Sequence, residues 1–131
     1  MIHEEIVTYE VAKLAKEKWF PQECDLFYNR NGKLCDERNY DSFDNEIGYY
    51  APTQSLLQRW LREEKGIIID VVLDWLYNID FEEIRYQYRI GSKDRMHDGS
   101  IETKGIVFDK YFFTYELALE DALKYALEKL I

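Results

Sequence analysis

The strongest constraint on the fold is a pair of neighbouring segments, 67–77 and 83–90, in which apolar residues recur at every second position. The residues between them can form a turn, so the two segments can pair as an antiparallel hairpin. In one register, the numbers of opposed residues sum to 159. This register brings apolar side chains together on one face and opposite charges together on the other. The opposed pairs are Ile69 with Ile90, Val71 with Tyr88, Leu73 with Tyr86, Asp70 with Arg89 and Asp74 with Arg85.

Three threonines stand immediately before stretches of helical periodicity, and they predict helices near 8–19, 53–65 and 114–130. In each stretch apolar residues recur at spacings of three and four, which places them on one face of a helix. The threonine hydroxyl can accept a hydrogen bond from a free N–H of the first turn. Gly66 is expected to end the second helix, because glycine readily adopts the left-handed conformation that follows a helix.

Shorter signals predict further strands. Residues 24–28 and 33–35 form a candidate hairpin around Asn31 and Gly32, which suit a turn that requires positive φ. Another strand is expected over 106–113, leading directly into the last helix. These elements predict an α+β fold, with a single antiparallel, meander-like sheet and three helices packed mainly on one of its faces.

Composition supports one domain over residues 1–131, since 47% hydrophobic and 16% aromatic residues are enough to fill a core without a disulfide or a metal. The longest apolar runs are too short to span a membrane, and the acidic N-terminus does not resemble a signal peptide. With only two cysteines, the chain is expected in a reducing compartment, the cytoplasm. A net charge of −9 disfavours direct binding to nucleic acid or to an anionic membrane.

The segment 36–50 combines acidic residues with aromatic ones. Between positions 21 and 50, seven acidic and three basic residues give a charge of −4, nearly half of the total. Tyrosine offers a large contact area at low entropic cost, and an acidic surface attracts cationic partners. The candidate partner-binding residues are Tyr40, Asp41, Phe43, Asp44, Glu46, Tyr49 and Tyr50. The alternative is that the tyrosines pack beneath the loop and the charges only maintain solubility.

Histidine and cysteine give no convincing catalytic or metal site. His97 shares the polar loop 91–100 with two serines and two aspartates, but a catalytic triad needs side chains presented from separate rigid elements. A Cys₂His₂ zinc site could be assembled from Cys24, Cys35, His3 and His97, but these residues lack the close paired spacing of such sites. Cys24 is expected to be a small core residue on a short strand.

Carboxylates offer the main alternative, a metal-dependent hydrolase or nuclease. Asp70 and Asp74 lie on the same face of the predicted hairpin, and Glu102 begins a Glu-x-Lys triplet like that of one class of nucleases. Such triplets occur by chance in a chain this rich in glutamate and lysine. Because Arg89 and Arg85 are expected opposite the two aspartates, we interpret those carboxylates as members of structural ion pairs.

Three stretches, 5–18, 51–63 and 113–118, resemble a group of small uncharacterised proteins of gut Bacteroidetes and of their phages and mobile elements. The most specific part is the sequence Ala-Pro-Thr-Gln-Ser-Leu-Leu-Gln that opens the second stretch. Relatives usually have Gly-Phe after the first helix, where this chain has Trp19 and Phe20, so that helix is expected to end differently. The resemblance implies a cytoplasmic protein of phage or mobile-element type, and it brings no known activity or functional residues.

The sequence therefore predicts a non-enzymatic protein-interaction module, without a cofactor, that binds a protein partner through the acidic, tyrosine-rich segment. An accessory factor of a phage or mobile element would fit this description. The hydrolase is the alternative, and a homodimer formed through exposed tyrosines is a third hypothesis.

Overall fold

A computed structural model of the chain describes residues 3–36, 47–73, 85–92, 102–103 and 110–131. Within these ranges the α+β class is confirmed by three helices and six strands. The helices are α1 (Tyr9–Glu17), α2 (Gln54–Glu64) and α3 (Tyr115–Tyr125), which continues as a π-helical turn over Ala126–Leu130. The strands are β1 (Leu26–Asn29), β2 (Leu34–Asp36), β3 (Ile47–Tyr50), β4 (Ile67–Leu73), β5 (Tyr86–Ser92) and β6 (Glu102–Thr103).

All three helices begin at the predicted threonines. Thr8, Thr53 and Thr114 have extended backbones, and each hydroxyl accepts a hydrogen bond from the N–H three residues further on. The three bonds measure between 3.1 and 3.3 Å, and each satisfies one donor of the first helical turn. Gly66, at φ +67°, follows the last residues of α2, as predicted.

Helix α1 ends at a tryptophan in the left-handed conformation. Trp19 has φ +67°, and its N–H donates to the carbonyl of Lys16 at 3.1 Å. The N–H of Phe20 reaches back to the carbonyl of Ala15 at 2.9 Å, which completes a Schellman motif. The expected departure from a glycine-type helix end is therefore not seen, because Trp19 adopts the conformation that glycine would favour.

The long hairpin forms in the predicted register. The paired residues include Ile69 with Ile90, Val71 with Tyr88, Leu73 with Tyr86 and Asp70 with Arg89. The side chains of Ile69, Tyr88 and Ile90 are buried, whereas Asp70 and Arg89 are exposed and form an ion pair at 2.7 Å. The predicted pairing of Asp74 with Arg85 stays a prediction, because Asp74 lies outside the described residues.

The described strands form two sheets instead of the single sheet predicted. One has the order β2-β1-β3 and the other β4-β5-β6, and all pairs are antiparallel. Alternation of apolar residues shows which face of a strand is buried, but it does not show which edges pair. The 24–28 and 33–35 hairpin is confirmed as β1 and β2, with Gly32 at φ +80°. From the strand expected over 106–113, Phe112 pairs with Tyr86.

One apolar core joins the two sheets. Helices α2 and α3 cover the buried face of β4 and β5, in agreement with the predicted packing on one face. Helix α1 packs against β3. The largest fully buried members are Tyr88, Phe27, Leu57, Leu61, Ile90, Leu123 and Leu127. Among the residues that the structure describes, every helix is too short or too polar to cross a membrane.

Two tyrosine hydroxyls, one on the buried Tyr88 and one on the half-buried Tyr28, make hydrogen bonds at this core. The Tyr88 hydroxyl donates to a carboxylate oxygen of Asp121 at 2.8 Å. Burial, reinforced by this hydrogen bond, raises the pKa of Tyr88. The Tyr28 hydroxyl donates to the carbonyl of Val7 at 2.6 Å, and burial also raises its pKa.

The Ala-Pro-Thr-Gln stretch before α2 is a structural junction. The Pro52 carbonyl accepts from the N–H of Val7 at 3.1 Å, and Thr53 caps the helix. Gln54 is only 4% exposed, and its amide donates to a carboxylate oxygen of Glu120 at 2.7 Å. The other oxygen of Glu120 accepts from the N–H of Thr8 at 2.7 Å. The junction therefore links the starts of α1 and α2 to α3.

Candidate interaction surface

Of the seven predicted binding residues, two lie within the described chain, Tyr49 and Tyr50 of β3. Those outside it are Tyr40, Asp41, Phe43, Asp44 and Glu46, for which the prediction stays a prediction. The ring of Tyr49 packs edge to face on Tyr9, with 5.5 Å between the centroids, and the Lys16 ammonium lies 5.2 Å from its centre. Tyr49 therefore helps to hold α1 against the sheet.

Tyr50 faces a different environment from its neighbour. It lies opposite Phe27 in β1 and lines a cavity of about 270 Å³. Lys16, Phe20 and the two residues that follow Pro21 also line this cavity. Tyr50 thus connects the tyrosine-rich segment to the surface around residues 20–25.

The segment 20–25 runs beside α2, and an open groove lies between them. Two adjoining cavities of about 600 and 410 Å³ make up this groove and share Gln22 and Leu56 as lining residues. We refer to it as the α2 groove. Its apolar lining consists of Ile6, Phe20, Pro21, Leu26, Ala51, Pro52, Leu56 and Trp60.

Two aromatic rings stand at one end of the α2 groove. The rings of Phe20 and Trp60 meet edge to face, with centroids 5.3 Å apart and an angle of 88° between their planes. The ammonium of Lys65 lies 5.4 Å from the centre of the Trp60 ring. That position is within cation–π range, so the exposed part of this ring already attracts a cation.

The charged lining of the α2 groove is mostly acidic. Glu63 and Glu64 lie at the aromatic end, and Glu23 and Asp25 at the other. The lining cation is Arg59, whose Nε lies 3.0 Å from a carboxylate oxygen of Glu63. Four carboxylates and one guanidinium leave the lining with a charge of −3.

Trp19 immediately precedes the groove residue Phe20 and is 86% exposed. For a residue with a Cβ, the left-handed backbone conformation is disfavoured by about 1–2 kcal/mol of free energy. An indole that is almost fully exposed gains little from packing to offset this strain. Strained, exposed residues of this kind are concentrated at binding sites.

A second group of exposed apolar residues lies at the start of α3. Phe113 is 67% exposed and Leu117 is 56% exposed. Between them, Tyr115 contacts the ring of Tyr86 edge to face, with 6.3 Å between centroids. Phe113 is therefore a suitable comparison for Trp19, as an exposed aromatic residue whose chain neighbours do not line the groove.

The candidate catalytic and metal-binding residues do not form a cluster in the part of the chain that the structure describes. Asp70 is engaged by Arg89, and Asp74 and His97 fall outside the described ranges, as does the side chain of Glu102. Within those ranges, no three His, Cys, Asp or Glu residues gather to hold a metal ion.

Cys24 and Ser92 both differ from their predicted locations. Cys24 precedes β1 and is half-buried, so it is not the core strand residue expected; β1 begins only at Leu26. It lines the α2 groove, where burial raises the pKa of its thiol. Ser92 belongs to β5 and is buried, instead of lying in the polar loop.

Comparison with protein-family models, with curated proteins and with solved structures finds no match to this chain. The surface itself therefore supplies the argument for function. The sequence alone does not identify the α2 groove, because Trp60 has the spacing of an ordinary apolar residue on the buried face of a helix. A usable signal is Trp19, since a tryptophan at a helix end normally occupied by glycine is an unusual choice.

Proposed function

We propose that this chain is a non-enzymatic protein-interaction module whose partner binds over the α2 groove, with Trp19 as an anchor. The observation that carries the proposal is the combination of strain and exposure at Trp19. A glycine at this position would relieve the strain, and a polar residue would be better solvated. A tryptophan in this place is explained if a partner buries it.

Tryptophan suits this role because it dominates the binding energy of many protein interfaces. Its neighbours also favour an interface, since Phe20 and Trp60 offer apolar surface in a concave site with acidic residues at its ends. Tyr50, one of the tyrosines predicted to bind a partner, lines a cavity together with Phe20, which supports an interface on this face. On the resemblance described above, the module would act in the cytoplasm as an accessory factor of a phage or mobile element.

The proposal is tested by site-specific photo-cross-linking. Trp19 is replaced by p-benzoylphenylalanine, and the purified protein is irradiated in a lysate of its source organism. We expect one discrete cross-linked protein, because a partner that buries position 19 lies within reach of the benzophenone. Excess wild-type protein should compete for it, whereas an excess of the Trp19→Gly variant should not.

The matched control places the same photoreactive residue at Phe113, which is also an exposed aromatic. A cross-link from position 19 that is absent from position 113 supports the proposal. A cross-link from position 113 alone, or none from either position, contradicts it.

A further inference from the structure

The chemistry of the α2 groove indicates what kind of partner it accepts. We infer that its occupant is an extended segment of a partner protein that carries both arginine and apolar side chains. This inference rests on the proposed function and adds the chemical identity of the bound segment.

The course of the groove along one stretch of chain suits an extended peptide. It follows the six residues 20–25, which can span up to about 20 Å when extended. A partner segment of similar length would lie between these residues and α2. Successive side chains of an extended segment point to opposite sides, so some of them can enter the groove while others stay at its rim.

The apolar side chains of the partner segment have a matching surface in the groove. Leu56 contributes to both cavities, and Phe20 and Trp60 form the aromatic end. Burial of apolar side chains there removes surface from water, at roughly 25 cal/mol for each Å².

The charge of the groove favours a basic occupant. The four lining carboxylates exceed the two cations beside them, which are Arg59, already held by Glu63, and Lys65, whose ammonium lies near the Trp60 ring. Asp25 and Glu23 make no ion pair with any residue that the structure describes. A cationic segment would be attracted to both ends of the groove, and the net charge of −9 would steer it toward the protein.

Arginine suits the site better than lysine. A guanidinium can bind a carboxylate such as Glu64 through two parallel hydrogen bonds and can stack on an aromatic face. The Lys65 ammonium lies 5.4 Å from the centre of the Trp60 ring, so there is room for a cation at that ring. An incoming arginine could take the place of this ammonium, which is free to move back into water.

A second copy of this chain is a poorer occupant. Each copy carries a net charge of −9, and the groove itself is acidic, so two such faces would repel each other. The charge of the surface therefore distinguishes a basic partner from self-association.

Fluorescence anisotropy with labelled peptides tests the inference on the full chain. The probe has four Gly-Arg-Leu repeats, and the comparison peptides have four Gly-Arg-Ser or four Gly-Glu-Leu repeats. We expect the Gly-Arg-Leu peptide to bind at least tenfold more tightly than either comparison peptide, because it alone supplies both charge and apolar side chains. Binding should weaken when NaCl is raised from about 50 to about 500 mM, since salt screens the carboxylates.

Two double variants test whether the peptide binds at the α2 groove. Replacing Glu63 and Glu64 together by glutamine should weaken binding about fivefold to tenfold, because two carboxylates are removed from the groove. The same change at Glu116 and Glu128, which are exposed residues outside the groove, is the charge-matched control and should have little effect. Circular dichroism spectra of both double variants verify that they remain folded.

Each outcome bears on the inference. Equal binding of the Gly-Glu-Leu or Gly-Arg-Ser peptide overturns it, as does equal loss of affinity in the two double variants. Absence of binding by the Gly-Arg-Leu peptide also overturns it. If position 19 still yields a specific cross-link in those cases, the proposed function stands and only the chemistry of the partner is wrong.

Discussion

The strained backbone at Trp19 makes a quantitative prediction that separates folding from binding. A left-handed residue with a Cβ is disfavoured by about 1–2 kcal/mol, and glycine loses about 0.5–1 kcal/mol more backbone entropy than alanine on folding. We therefore expect Trp19→Gly to be more stable than Trp19→Ala by roughly 0.5–1 kcal/mol. Both variants lose the indole, so their difference isolates the effect of the backbone.

Urea unfolding followed by circular dichroism measures this difference. At about 2.1 cal/mol/K of unfolding entropy for each of 131 residues, the same difference shifts Tm by about 2–4 °C. In the interior of a helix the order is reversed, because alanine is favoured over glycine there. A Trp19→Ala variant as stable as Trp19→Gly would therefore refute the left-handed conformation and the strain on which the proposed anchor depends.

Three further predictions concern the fold. Thr53→Ala should lower the free energy of unfolding by about 1 kcal/mol in urea titrations, whereas Thr53→Ser should retain the helix cap. Asp70→Asn should change stability by less than about 1 kcal/mol, and less still at high salt, because the pair with Arg89 is exposed. Tyr88→Phe should lower stability at neutral pH by about 1–2 kcal/mol, since the hydrogen bond to Asp121 is lost. The raised pKa of Tyr88 stabilises the folded protein below about pH 10 and loses this effect at higher pH, so the difference between wild type and Tyr88→Phe should shrink in alkaline urea titrations.

Local signals in the sequence were sufficient to predict the helices and the long hairpin. A threonine cap acts within one helical turn, and alternation along 67–77 and 83–90 allows only one register with apolar and charged faces both matched. The two-sheet arrangement depends instead on which strand edges meet, and neither propensity nor periodicity specifies this. Strand β6 has two residues, too few for any periodic pattern.

The candidate surface was harder to predict for a related reason. A groove forms where segments that are distant in the sequence lie side by side without packing fully against each other, so no single segment predicts it. Phe20 and Trp60 are forty residues apart, and their contact depends on how α1 ends. The left-handed turn at Trp19 directs the following residues along α2. Sequence reasoning identified Trp19 as a departure from the related pattern, but the exposure of its side chain required the structure.

Amide chemical shifts in ¹H–¹⁵N spectra test the central claim most directly, because they show where a ligand binds. The labelled protein is titrated with the peptide of four Gly-Arg-Leu repeats. We expect the largest shifts at residues 19–25 and along α2, together with a shift of the Trp19 indole N–H. Shifts confined to the start of α3 or to the segment 36–46, with positions 19–25 unchanged, would contradict it.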